Sequence, residues 1–181
     1  MNDLFIPLIQ TAALTSAGVF AGYTWALSHA AVPTILHAND PGLAEQWRTQ
    51  YLAGFYISRP LCVINGLTFG YLSYSAPSAS PERTLYLLSA LISSSGVLYA
   101  LTFLRKTTGA LSLRAHKVAG KHRDDPIGLT FARSDAGAMG REKDWKTREM
   151  VERWRWHNNR RTGILGLGTI LGGLSVGLSK R

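Results

Sequence analysis

Four side chains near the C-terminal end could act together: Trp154, His157, Asn158 and Arg161, within VERWRWHNNRRTGILGLGTILGG (151–173). Their spacing of i, i+3, i+4 and i+7 places them on one stripe if the segment is helical. An imidazole can act as a base near neutral pH. An amide or a guanidinium can donate hydrogen bonds to a developing oxyanion, and an indole offers a flat apolar wall. A plainer account covers part of the segment: tryptophans anchor helices at membrane interfaces, and arginines flank spans. That is enough for Arg155, Trp156, Arg160 and for Trp154 taken alone. It does not explain why His157, Asn158 and Arg161 share the face of Trp154.

Two other residues invite a chemical reading. His29 follows Thr24, Trp25 and Ser28 at the end of the first apolar stretch, where polar atoms could line a cavity. It reads either as a structural residue or as a general base. Arg59 sits in YISRPLC at the entrance to the second apolar stretch. A charge near membrane depth is costly, so it either snorkels to the interface or faces inward to meet an anion or enolate.

Metal and cofactor chemistry finds little support. His37, His116, His122 and His157 lie outside the apolar stretches or at their edges, and no Asp or Glu lies within them. Axial haem pairs and paired metal-binding carboxylates are therefore not expected. HRDD at 122–125 is a weak metal cluster in what reads as a solvated segment. Neither metal nor cofactor is expected. The single cysteine, Cys62, rules out an intramolecular disulfide and reads as a packing residue. No GxGxxG, P-loop or GxSxG element occurs.

The elements that must position these side chains follow from where charge is missing. The chain has 181 residues and a formal net charge of +9, but no Asp, Glu, Lys or Arg occurs in 4–39, 60–81, 84–104 or 162–179. A helix needs about 20 apolar residues to cross a hydrocarbon core. The expected fold is all-α: an integral membrane four-helix bundle in one domain, with spans at about 4–28, 55–74, 84–104 and 162–178 and a long basic loop at about 105–153. Pro33 limits the first helix. The leader MNDLF carries an acid and no Lys or Arg, so the first stretch is expected to be a retained span rather than a secretory signal.

Fifteen of the twenty basic residues, with seven acids, lie in 105–161. By the positive-inside rule the long loop is cytosolic and both termini lie on the other side. The mixed charges follow a span, so they read as topology and a solvated connector, and nucleic acid is not an expected partner. The last span carries GxxxG pairs at Gly168/Gly172 and Gly173/Gly177, which let helices approach closely in lipid. Packing within the chain and a homo-oligomer through this helix are both open.

In order along the chain, these features resemble the anthrone oxygenase-like family of small four-span membrane proteins. The last-helix pattern W-x-x-x-N-x-x-R before a small-residue span is met by Trp154, Asn158 and Arg161 followed by TGILGLGTILGG. The first helix closes with LSHAAVP, containing Pro33, and QWRTQYLAGFYISRP supplies Trp47, Tyr51, Gly54 and Pro60 before the second span. After the third span the family has a Thr-Asn pair, whereas this chain reads TTGAL with Thr108 at the asparagine position.

The resemblance implies oxidation of an anthrone to an anthraquinone in polyketide biosynthesis, with O2 as co-substrate and no cofactor. Such chemistry needs a base, a contact for an oxyanion and a slot for flat rings. The sequence offers His29 or His157 as base, Asn158, Arg161 and Arg59 as oxyanion contacts, and Trp154, Tyr23 and Trp25 as ring walls. The implied partners are membrane lipid and a small polyaromatic substrate, in a multi-pass membrane for which the endoplasmic reticulum is one location. The alternative is a non-enzymatic four-span membrane protein, either an accessory subunit or a small transporter.

Overall fold

The computed structural model describes residues 4–120 and 125–179. Among these residues every regular element is helical and no strand occurs. In order they are α1 (Phe5–Ala26), a π-helical turn (Leu27–Ala31), α2 (Val32–Ile35), α3 (Asp40–Ser75), α4 (Pro81–Tyr99), a second π-helical turn (Ala100–Leu104), α5 (Arg105–Ala119), α6 (Ile127–Arg133), α7 (Ala136–Asp144) and α8 (Thr147–Leu178).

Three continuous helical runs, Phe5–Ile35, Pro81–Ala119 and Thr147–Leu178, are long and apolar enough to cross a membrane. The chain is an all-α membrane protein. The stretch 55–74, expected as a second span, lies inside α3, but α3 is not one of these three runs. Arg59 and Asn65, among other polar residues, dilute its apolar content.

The first helix also runs further than expected. It passes through Pro33 because the preceding turn widens: the backbone N–H of Val32 donates to the carbonyl of Leu27, five residues back. Proline has no N–H and its ring crowds the carbonyl four residues earlier, so an α-helical turn there would be strained. A π-helical turn is one way for a helix to absorb such a residue.

The chain packs as two units. Unit 1 comprises Met1–Thr24, Tyr56–Leu98 and Arg160–Arg181; unit 2 comprises Trp25–Phe55 and Tyr99–Asn159. In unit 1, Ala13, Ala17, Phe69, Leu72, Tyr86 and Ala90 form a buried apolar cluster, and Phe20, Cys62 and Leu165 form another. Gln10 Nε2 donates to Tyr86 Oη at 2.8 Å. The glycines of α8 permit close packing within the chain. A Cβ at Gly168 would lie 3.1 Å from Ile92 and Ser93, and one at Gly172 would lie 2.7 Å from the Phe69 ring. At Gly173 and Gly177 nothing in the described chain lies within 4 Å.

In unit 2 the basic segment 105–153 is not a connector: most of its described residues are helical, in α5, α6, α7 and the start of α8. Two features account for this. Ala110, Leu111, Ala115, Leu129, Ala132 and Ala138 are buried, so the segment has an apolar core of its own. Its acids also have specific partners. Asp125 pairs with Arg133 at 2.8 Å and also with Arg48. Glu142 pairs with Arg114 at 3.4 Å and Lys117 at 2.6 Å. The Asp135 carboxylate caps α7 by accepting from the N–H groups of Gly137 and Ala138 at 2.9 and 3.2 Å. Gly120, with φ +74°, ends α5, and a Cβ at Gly109 would run into the Ala132 carbonyl, so α5 and α6 meet backbone to backbone there.

Candidate functional site

The first half of α8 belongs to unit 2, and its predicted stripe faces inward. Trp154, His157 and Asn158 are 4%, 7% and 0% exposed, whereas Glu152, Arg153 and Trp156 lie on the exposed side. Around Trp154 the N-terminal half of α3 supplies aromatic walls. The Trp47 ring meets the Trp154 ring edge to face at 6.0 Å, and Tyr51 stacks on Trp47 at 5.0 Å. Phe55 follows one turn on, 6.0 Å from Tyr51. The spacing 47, 51, 55 is one helical face, which is why a single element supplies all three rings.

Ser28 is held from two sides. Asn158 Nδ2 donates to Ser28 Oγ at 2.7 Å, and Arg155 Nε donates to the Ser28 carbonyl at 2.8 Å. The second bond follows from the proline. In the π register the acceptor for residue 33 is the carbonyl of residue 28, and Pro33 has no N–H to give. Arg155 supplies the missing donor with a charge-assisted bond. Arg155, which reads in sequence as a topology marker, thus completes a helix turn.

His157 is bounded by the second π-helical turn. Its Nδ1 lies 3.1 Å from Tyr99 Oη, its ring stacks near Phe103 with centroids 6.2 Å apart, and the Trp156 ring meets it edge on at 4.7 Å. If the tyrosine oxygen accepts from Nδ1–H, Nε2 keeps a lone pair and can take a proton; the opposite tautomer cannot do so at Nε2.

The other predicted residues lie elsewhere. His29 and Trp25, in unit 2, are exposed and stacked on each other at 4.8 Å. His29 Nδ1 is 3.1 Å from the Trp25 carbonyl, which can only accept, so that nitrogen carries the proton. Tyr23, Arg59 and Arg161 belong to unit 1. Tyr23 and Arg161 are half-buried and Arg59 is exposed. Cys62 is buried, with its thiol donating to the Ser93 carbonyl at 3.2 Å. Of HRDD, residues 122–124 lie outside the described residues, and Asp125 is engaged by Arg48 and Arg133.

Sequence reasoning did not single out Ser28, Tyr99, Phe103 or Arg155 as site residues. Tyr99 and Phe103, four apart, carry a usable signal as an aromatic pair on one face just before the basic segment. Thr107 and Thr108, where the related pattern has Thr-Asn, are both buried in unit 2, and Thr107 Oγ1 accepts from Arg141.

Unit 2 therefore holds a histidine buried against aromatic rings and, next to it in sequence, a buried asparagine bound to Ser28, in a helical chain that spans a membrane. This combination defines a membrane protein with an enclosed aromatic and polar site. The family model described as Anthrone oxygenase matches residues 47–171, and the chain belongs to that family. That range takes in Trp47, Tyr51, Tyr99, Phe103, Trp154, His157 and Asn158. No curated protein and no solved structure matches the chain.

Proposed function

We propose that the unit 2 cluster oxidises an anthrone-type polyaromatic to the anthraquinone, using O2 and no bound cofactor. The observation that carries this reading is the burial of His157 beside Tyr99, Phe103 and the Trp154 wall in a chain of the anthrone oxygenase family.

His157 Nε2 takes a proton from the doubly benzylic carbon, and the electron pair spreads into the ring ketone as an enolate. The carbanion passes an electron to O2, a C–O bond forms, and the returning proton gives a hydroperoxide. Loss of the remaining hydrogen of that carbon as a proton, with cleavage of the O–O bond, leaves the second ketone and releases water. Anthrone and O2 thus give anthraquinone and water, the carbon supplies all four electrons, and no outside reductant is required.

Tyr99 orients the imidazole and steadies the imidazolium. Asn158 fixes Ser28 and with it the turn of the first helical run that α8 packs on. All of these residues belong to unit 2. With the basic segment 105–153 placed on the cytosolic side, the site serves an apolar substrate drawn from the bilayer, the endoplasmic reticulum being the location we propose.

The test is O2 uptake by purified, metal-stripped protein with emodin anthrone, measured above the spontaneous rate. Acceleration that survives excess chelator is expected. Absence of acceleration by the wild-type protein would refute the reading.

A further inference from the structure

Among the described residues, two buried indoles in unit 2 have no acceptor for their N–H. Trp47 is 1% and Trp154 4% exposed, and neither Nε1 atom has a hydrogen-bond partner among the described residues. An indole N–H only donates, and buried tryptophans ordinarily find it an acceptor. An orphaned buried donor therefore calls for an explanation. Trp25 and Trp156 raise no such question, being 55% and 40% exposed.

The two orphans are neighbours. Their rings stand at 85° with centroids 6.0 Å apart, and Tyr51 touches both, stacked on Trp47 and edge-on to Trp154 at 6.5 Å. Two donors beside flat aromatic surfaces suit a ligand that is itself flat and carries acceptor oxygens. A hydrocarbon would leave both donors unmet, and a cation would be repelled by them.

Resting on the proposed oxygenase reading, we infer that Trp47 and Trp154 donate their indole N–H groups to oxygens of the bound polyaromatic. They select oxygenated rings over bare hydrocarbons. A ketone oxygen gains negative charge as the benzylic proton leaves, so a donor aimed at it binds more strongly as reaction proceeds. The pair would thus select the substrate and help carry the charge that His157 creates.

The test uses the full chain in lipid nanodiscs, with its five tryptophans labelled at the indole nitrogen. Trp47→Phe and Trp154→Phe assign the two N–H signals. The probe is 1,8-dihydroxyanthraquinone, a product-like molecule that does not turn over, and the control is anthracene. The expected result is a downfield proton shift of both signals with the quinone and none with anthracene.

Quinone binding, seen by quenching of tryptophan fluorescence, without those shifts would overturn the inference, as would equal shifts with anthracene. Turnover of emodin anthrone alongside unmoved indole signals would sink this inference alone, whereas no binding and no turnover would sink the oxygenase reading with it. As a second measurement, benzothienylalanine at position 47 or 154 keeps the ring shape and removes the N–H. We expect KM for the anthrone to rise about tenfold at each site, the scale of one lost hydrogen bond. An unchanged KM in the folded protein would count against the pair.

Discussion

Replacing His157 and Tyr99, singly and together, separates a catalytic base from a buried histidine that only packs. A positioned general base contributes about 10²- to 10⁴-fold to rate, so His157→Ala should lower kcat for emodin anthrone by that factor. Tyr99 contributes one hydrogen bond of ordinary length, 3.1 Å to Nδ1. Such a bond has a net worth of about 0.5–1.5 kcal/mol, and each 1.36 kcal/mol is tenfold in rate. Tyr99→Phe should therefore lower kcat about two- to twelvefold. Because Tyr99 acts through the imidazole, Tyr99→Phe should have no further effect in the His157→Ala protein.

Single-turnover absorbance of the anthraquinone, corrected for spontaneous oxidation, reads all four proteins. Denaturant unfolding followed by tryptophan fluorescence shows whether each is folded. A folded His157→Ala protein within twofold of wild type would remove His157 from the chemistry. Multiplicative losses in the double variant would show that Tyr99 does not work through it.

Three further outcomes follow from single contacts. Arg155→Ala should cost about 1.5–3 kcal/mol in denaturant unfolding, the scale of a lost charge-assisted bond, and the cost should shrink in a Pro33→Ala background, where residue 33 regains a donor for the turn; equal costs in both backgrounds would break the argument. Burial acts to raise the Glu142 carboxyl, but the hydrogen bond and charge of Lys117, joined by Arg114, outweigh it and hold the group below the usual carboxylate range. A lowered folded-state value means its stabilisation is present above the unfolded value and lost as pH falls through the folded one, so the Tm advantage of wild type over Glu142→Gln should decline as pH falls below about 4.3 and would stay flat if the pairing were idle. Gly172→Ala should destabilise by about 1–3 kcal/mol because its Cβ would lie 2.7 Å from the Phe69 ring, whereas Gly173→Ala, with nothing of the described chain within 4 Å, should be neutral in the same unfolding assay.

Much of the helical framework is legible because its causes are local. The charge-free runs 4–39, 84–104 and 162–179 each coincide with most of a helical run that can cross a membrane. The inward stripe Trp154, His157 and Asn158 follows from helical spacing alone. Segment 105–153 resisted reading for a different reason. Its order depends on pairing Asp125 with Arg48 and Glu142 with Arg114, partners 77 and 28 residues apart, which no local charge pattern reveals. Its α6 and α7 are 7 and 9 residues long, too short for a periodicity of apolar positions to stand out. His29 fits a cavity-lining role by composition, but it lies within the π-helical turn Leu27–Ala31 and is exposed there. In that turn the α-helical register no longer tells which face a residue takes.

The same turn shows how a residue can build the site without touching a ligand. Pro33 removes the donor that the Ser28 carbonyl would otherwise use, and Arg155 on α8 takes its place. Three residues further along α8, Asn158 binds the Ser28 hydroxyl. One helical face of α8, carrying Arg155 and Asn158, is therefore pinned to one turn of the first helical run, at both a backbone and a side-chain atom. His157, next in sequence to Asn158 but about 100° round the helix from it, meets the other π-helical turn through Tyr99 and Phe103. Irregular helix geometry persists where the surrounding structure supports it, and such turns are frequent at functional sites. Here the first irregular turn has a covalent cause in Pro33. The second, Ala100–Leu104, contains no proline and none follows it in α5; Tyr99 just before it and Phe103 within it both contact His157. A π-helical turn held by a histidine contact is the arrangement expected if the position of that imidazole matters to the protein's work.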